Sequence, residues 1–260
     1  MTFKVLGQGA PLLCLSGFGC SSWIFEDLAP ALAKDFELAL VENRGFGNQP
    51  LTTPYTLQDL AADALAIADR LKWDSFSILG ISMGGFIAQQ MALTAPLRVE
   101  CLYLAGTTGR GPQFIPLPST SEAEILAFYQ LSGQEQAQRG LIQTVHPQFP
   151  IHRPDRYQQL LEARATHAPD PEAVLWQYRA VQTWLQLPAL DYRQIQCPTG
   201  ILHGAQDRYV SPENARFLAE SIPQAHLHLI PESDHFFFYE QREAFLEALG
   251  RVRRLTCRSV

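Results

Sequence analysis

Short apolar runs alternate with longer amphipathic stretches along the first hundred residues. Phe3–Leu6, Pro11–Leu15, Phe36–Val41, Ser75–Ile81 and Val99–Ala105 are apolar at consecutive rather than alternate positions. That is the pattern of strands buried on both faces. Trp23–Lys34, Leu57–Leu71 and Met83–Ala95 return apolar residues every three or four positions, the helical period. Ser21 or Ser22 is suited to cap the first of these helices, and Asp59, Asp63 and Asp69 are expected on the solvent side of the second. Pro96 stops the third. Such alternation predicts an α/β fold, with a mostly parallel central sheet and helices on both faces.

The pattern changes after Gly106. From Thr107 to Tyr192 no strand-like run occurs, and nine prolines punctuate the segment. Helices are predicted near Glu122–Leu131, Gln134–Val145, Arg156–His167 and Pro171–Gln186. Alternation then resumes with strand Thr199–His203, helix Pro212–Ile222, strand Ala225–Ile230 and helix Gln241–Arg251. The expected organisation is a core of residues 1–106 and 193–260. An all-helical cap, residues 107–192, is inserted after the sixth strand, over the carboxyl edge of the sheet. The tail, Arg251–Val260, carries four arginines and no apolar period, and is expected to be a solvated end.

Ser75–Met91 concentrates the chemistry. A strand passes into a helix at Ser82, with Gly80 two residues before and Gly84 two residues after. A strand-to-helix turn made in one residue strains that residue and leaves no room for side chains at those two neighbours. Gly-Ile-Ser-Met-Gly is therefore a candidate nucleophile elbow, with Ser82 exposed above the sheet. A serine needs a base, and the base an orienting carboxylate, from loops after later strands. Asp207 follows the Thr199–His203 strand and His235 follows Ala225–Ile230, so Ser, Asp and His come in chain order, each after its own strand. Asp234 is read as a surface or loop acid. Two N–H donors for a developing oxyanion are expected from Met83, at the helix start, and Phe18, in the Ser16–Gly19 loop.

Composition narrows the partners. The chain has 260 residues, 47% of them hydrophobic, and a net charge of −6, with no basic cluster before the tail. Nucleic acid is thus not expected. No apolar run approaches the length of a membrane span. The first residues lack the charged and apolar regions of a secretory signal, so a cytoplasmic location is expected. Five scattered cysteines form no disulfide framework, and no CxxC or His pair suggests a metal, so no cofactor is expected.

The segments LSGFGCSSWIFEDLAPAL, ENRGFGNQP, GISMGG, HGAQDRYVSPENA and SDHFFFYE resemble successive landmarks of the α/β-hydrolase superfamily. Within it the chain is similar to the small capped carboxylesterases, including enol-lactone hydrolases and esterases of the pimeloyl-carrier-protein methyl ester type. The resemblance implies a serine hydrolase with Ser82, Asp207 and His235 as its triad. Three departures stand out. Ser16-Gly17 occupies the usual His-Gly position. Glu42 stands in place of Asp before the Arg-Gly loop, where it is expected to partner Arg44. The opening hairpin is reduced to one strand.

The expected substrate is a free carboxylic ester with a small to medium apolar acyl group, bound by Trp23, Phe128, Trp176, Trp184 and Phe236. Mixed charges in the cap argue against an acidic carrier protein as partner. Thioester, carbon–carbon bond or carrier-bound methyl ester hydrolysis by the same residues is the alternative, as is a non-catalytic ligand binder. The sequence leaves the oligomeric state open.

Overall fold

The structure, a computed structural model, describes residues 2–51 and 53–256. Seven strands form one sheet: β1 (Phe3–Leu6), β2 (Ala10–Leu15), β3 (Phe36–Val41), β4 (Phe76–Ile81), β5 (Val99–Ala105), β6 (Thr199–Gly204) and β7 (Ala225–Ile230). Their order across the sheet is β1-β3-β2-β4-β5-β6-β7. β1 runs antiparallel to β3, and every other neighbouring pair is parallel. The helices in chain order are α1 (Ala29–Leu32), α2 (Leu57–Arg70), α3 (Met83–Thr94), α4 (Glu122–Tyr129), α5 (Gly133–Thr144) and α6 (Phe149–His152). They continue with α7 (Pro154–Thr166), α8 (Pro171–Gln186), α9 (Pro212–Ser221), α10 (Phe237–Glu240) and α11 (Arg242–Thr256).

Successive side chains on a strand point to opposite faces, so a run that is apolar throughout feeds two cores. Leu13, Leu15, Ala39, Val41 and Ile78 pack with α2, α3 and α9 on one face. Leu12, Cys14, Leu38, Leu40 and Leu79 pack with α1, α10 and α11 on the other. After β3 the chain crosses to the far side of β2, and the loops that follow β2 and β4 diverge at the carboxyl edge. Such a reversal of strand order is where doubly wound sheets open a crevice.

Three expectations need correction. The helical segment enters after the fifth strand, not the sixth, since β1–β5 alone precede it. It carries α4–α8 and no strand among the described residues. Trp23–Lys34 is not one helix but a 3₁₀ turn, Ser22–Phe25, followed by α1. Pro30 lies in the first turn of α1, where the lack of an N–H does no harm, whereas in a continuous helix it would remove a bond. The expected solvated tail is helical to Thr256, and residues 257–260 lie outside the described residues. Its anchor is Val252, fully buried where Gly200 of β6 leaves no side chain. Arg253 lies over the Phe36 ring, 4.4 Å from its centroid. No helix among the described residues is long and apolar enough to cross a membrane.

Val252→Asp would place a carboxylate between β6 and α11 with no partner, and should lower stability by about 3 kcal/mol or more. Urea unfolding checks this. A loss under about 0.5 kcal/mol, the ordinary effect at an exposed site, would mean that the end of α11 is not docked.

Candidate active site

Ser82 joins β4 directly to α3 with φ 54° and ψ −117°, in a region that L side chains rarely adopt. Its N–H donates to the carbonyl of Ala105 at 2.8 Å, and its own carbonyl accepts from Thr107 Oγ1 at 2.7 Å. The sharpness of the turn explains the glycines. A Cβ on Gly80 would lie 2.4 Å from the carbonyl oxygen of Gly84, and one on Gly84 would lie 2.1 Å from that of Leu15. Neither backbone can retreat without pulling β2 or α3 out of register.

Ser82, His235 and Asp207 are brought together as expected. His235 Nε2 lies 3.1 Å from Ser82 Oγ, and His235 Nδ1 lies 2.8 Å from Asp207 Oδ2. Asp207 Oδ1 accepts from the N–H groups of Tyr209 and Val210 at 2.9 and 2.8 Å. Buried His203, which donates from Nε2 to the carbonyl of Val210, also lies 3.2 Å from Asp207 Oδ2. Burial alone would push the Asp207 carboxyl up, but the His235 charge and these hydrogen bonds hold it below the usual carboxylate range. Burial pulls the His235 imidazole down, and the Asp207 charge and hydrogen bond outweigh it, so the net shift is upward from 6.5.

Asp234 is not a surface acid. It is fully buried, and its carboxylate accepts from the N–H groups of Arg208 and His235, both at 2.8 Å, and from Arg208 Nε. Asp234 therefore ties the Asp207 loop to the His235 loop. Arg208 reaches on to the carbonyls of Ile142 and Val145 at the end of α5, at 3.1 and 2.7 Å. Beneath this loop Glu240 is also buried, and desolvation pushes its carboxyl up to about 8. Periodicity carried no trace of this bracing, because a loop acid beside a histidine looks the same in sequence whether buried or solvated.

In the loop after β2 the two N–H groups that follow Phe18 are already taken. Gly19 N–H donates to Gln177 Oε1 of α8 at 2.7 Å, and Cys20 N–H donates to the carbonyl of Gly17 at 3.2 Å. The neighbouring Phe18 N–H takes no acceptor among the described residues. Met83 is the first residue of α3, so its N–H has no acceptor within the helix. Ser16, at the usual His position, donates from Oγ to the carbonyl of Cys20 at 3.0 Å and so staples the loop. Glu42 does not partner Arg44. It accepts from Ser22 N–H and Oγ, while Arg44 pairs with Asp63 at 2.6 and 2.9 Å. Asp63, expected in solvent, is therefore half-buried.

A cavity of about 370 Å³ opens onto Ser82 and His235. Phe18, Phe128, Tyr129 and Phe236 line it, and so do Tyr209 and Arg164, which no periodic signal marked out. Trp23, Trp176 and Trp184, expected in the pocket, do not line it. Trp23 stacks on His167 at 5.9 Å, and Trp184 is fully buried against Phe86 at 4.5 Å. Trp176 packs at the edge of the α2/α3 core. Large rings spaced to make an apolar helix face went to holding the insertion down, because buried area there is worth more than in an open pocket. Among the described residues no group of three or more His, Cys, Asp or Glu side chains could hold a metal ion.

A doubly wound sheet bearing a serine on a strained strand–helix turn is the architecture of a hydrolase. The chain belongs to the alpha/beta hydrolase fold family, whose model matches residues 10–241. It is 30% identical over 254 residues to a pimeloyl-[acyl-carrier protein] methyl ester esterase of Chromobacterium violaceum, covering 95% of each chain. It is 28% identical to the 2-hydroxy-6-oxononadienedioate/2-hydroxy-6-oxononatrienedioate hydrolase 2 of Pseudomonas putida, covering 94% of this chain and 87% of that one. Among solved structures, a thermophilic esterase from Thermogutta terrifontis superimposes with a TM-score of 0.81 at 22% identity, covering 98% of this chain and 94% of that one.

Both aspartates raise the His235 pKa by their charge. Asp234→Asn should therefore lower the midpoint of the His235 ring titration, followed by NMR, and Asp207→Asn should lower it further because it also removes the direct bond. Midpoints at or above that of the unsubstituted protein would show that these carboxylates do not act on the ring.

Proposed function

We propose that the protein is a serine hydrolase that cleaves a carboxylic ester of a small to medium acyl group. The observation that carries this reading is the unbroken chain from Ser82 Oγ through His235 to Asp207, 3.1 and 2.8 Å, on the floor of the cavity. Ser82 Oγ attacks the ester carbonyl carbon as its proton passes to His235 Nε2. The carbonyl becomes an oxyanion facing the N–H groups of Phe18 and Met83. When the intermediate collapses, the leaving alcohol takes the proton from Nε2 and the acyl group stays on Ser82. A water then gives its proton to Nε2 and adds to the acyl carbon. Ser82 leaves with that proton, and the acid is released. Asp207 remains ionised throughout, holding the Nδ1–H tautomer and stabilising the imidazolium.

The charges of the insertion support a free rather than a carrier-bound ester. Of the six arginines between 107 and 192, Arg139, Arg156 and Arg179 pair with Glu135, Asp27 and Glu122. Arg110 is buried over Trp184, and Arg164 turns into the cavity, so only Arg153 stands exposed without a charged partner among the described residues. An acidic carrier would want a one-signed basic face. The Chromobacterium violaceum relative favours the carrier-bound methyl ester as second reading. Rates on p-nitrophenyl esters and on a carrier-bound methyl ester, compared at low and high salt, separate the two. A hundredfold preference for the carrier-bound substrate that falls as salt rises would overturn the first.

A fluorophosphonate probe should label Ser82 and leave Ser82→Ala unlabelled, and that variant should keep its fold while losing about 10⁴–10⁶ in rate. Folded protein that does not label would point to a ligand-binding role instead. Only the neutral imidazole accepts the serine proton, and His235 is shifted up. The acid limb of kcat/KM should therefore fall above 6.5, with activity rising as pH increases through it. A flat profile from about pH 5 to 8 would exclude a histidine base.

A further inference from the structure

One charged side chain in the cavity has no counter-ion among the described residues. Arg164, on α7, lines the same space as Ser82 and His235, and no carboxylate lies within ion-pair distance of its guanidinium among the described residues. The comparison with other half-buried arginines is direct, since Arg44, Arg156 and Arg242 each pair with an aspartate. Arg164 is nevertheless held in place. Its guanidinium crosses α5 at Gly140, where a Cβ would lie 2.6 Å from Nη2, so a buried glycine makes the room it occupies. Its other side faces the Phe236 ring, 5.7 Å from the centroid, beside His235. Among the described residues the only carboxylate that lines the cavity, Glu124, is already engaged by the N–H and hydroxyl of Ser121 at the start of α4.

A guanidinium that has lost part of its hydration and found no counter-ion is costly, and a docked anion removes that cost. Its planar fork suits a carboxylate, which can accept two parallel N–H bonds. One positive charge matches a monoanion better than a phosphate dianion. We propose that Arg164 is the anion-binding residue of the substrate site, so that the ester carries a carboxylate at the end remote from the scissile bond. The reacting end rests on the ester-hydrolase reading above; the anionic end rests on the cavity alone.

The test compares p-nitrophenyl half-esters of straight-chain dicarboxylic acids with neutral p-nitrophenyl alkanoates of equal length. The unsubstituted protein should favour the acid-ended ester, at its best spacer length, by about tenfold or more in kcat/KM, the scale of one charge-assisted contact. Arg164→Gln should collapse that ratio towards one, mainly through KM, and Arg164→Lys should recover part of it. A second measurement needs no turnover: calorimetry of the corresponding monomethyl half-ester with Ser82→Ala should show binding that Ser82→Ala/Arg164→Gln lacks. Hydrolysis of neutral esters with no acid preference at any length, and a ratio unchanged in Arg164→Gln, would overturn the anion site and leave the ester reading standing. Arg164-dependent binding with no hydrolysis of any ester would leave the anion site standing and overturn the ester reading.

Discussion

Everything at the carboxyl edge of the sheet depends on one strained turn. Ser82 can be lifted above β4 only if α3 begins at the next residue, and α3 can begin there only if its first turn lies against the backbone of β2. That contact leaves no space for a Cβ at Gly80 or Gly84, and it brings the loop after β2 alongside the serine. A Cβ on Gly17 would lie 3.2 Å from that of Ser82. Backbone strain at one residue persists because the surrounding sheet over-determines it. The hydrogen bonds from Ser82 N–H to β5 and from Thr107 to the Ser82 carbonyl are part of that restraint.

The helical insertion is fastened to the groups it covers. Gln177 of α8 holds Gly19, Arg208 holds the end of α5, and Phe236 N–H donates to the carbonyl of Thr144 at 3.0 Å. His146 N–H reaches buried Glu240 at 3.1 Å. These bonds run to the Phe18 loop and to the loops of Asp207 and His235, so the walls of the cavity and the proposed reacting groups share one frame. A change in the insertion that alters substrate fit is therefore coupled to the geometry of the histidine.

Asp207 and Asp234 are both buried on either side of His235, each with its own set of donors. Asp207 stays ionised because both its oxygens are occupied by donors from the chain that follows it and from His203 and His235. Asp234 is matched instead by the Arg208 guanidinium and two N–H groups. Division of labour follows from the partners: Asp207 faces the imidazole ring, Asp234 faces the loop backbone that carries it.

Local physics made the α/β alternation, the helical insertion and the Ser82 turn legible in the sequence. Strand burial, helical period and a glycine spacing set by backbone collision are all written in neighbouring residues. The same holds for Asp207 and His235, since each follows its own strand in order. What depended on contacts far apart in the chain was not legible. Asp234 is a brace only because Arg208 lies across the sheet edge, and Asp63 is half-buried only because Arg44 turns towards α2. Trp184 and Trp23 carry the same apolar period as pocket-lining rings but pack on Phe86 and His167. Arg164 reads in sequence as one more surface charge on α7. Tertiary structure alone decided that it enters the cavity, because the room for it is a missing side chain at Gly140, on another helix.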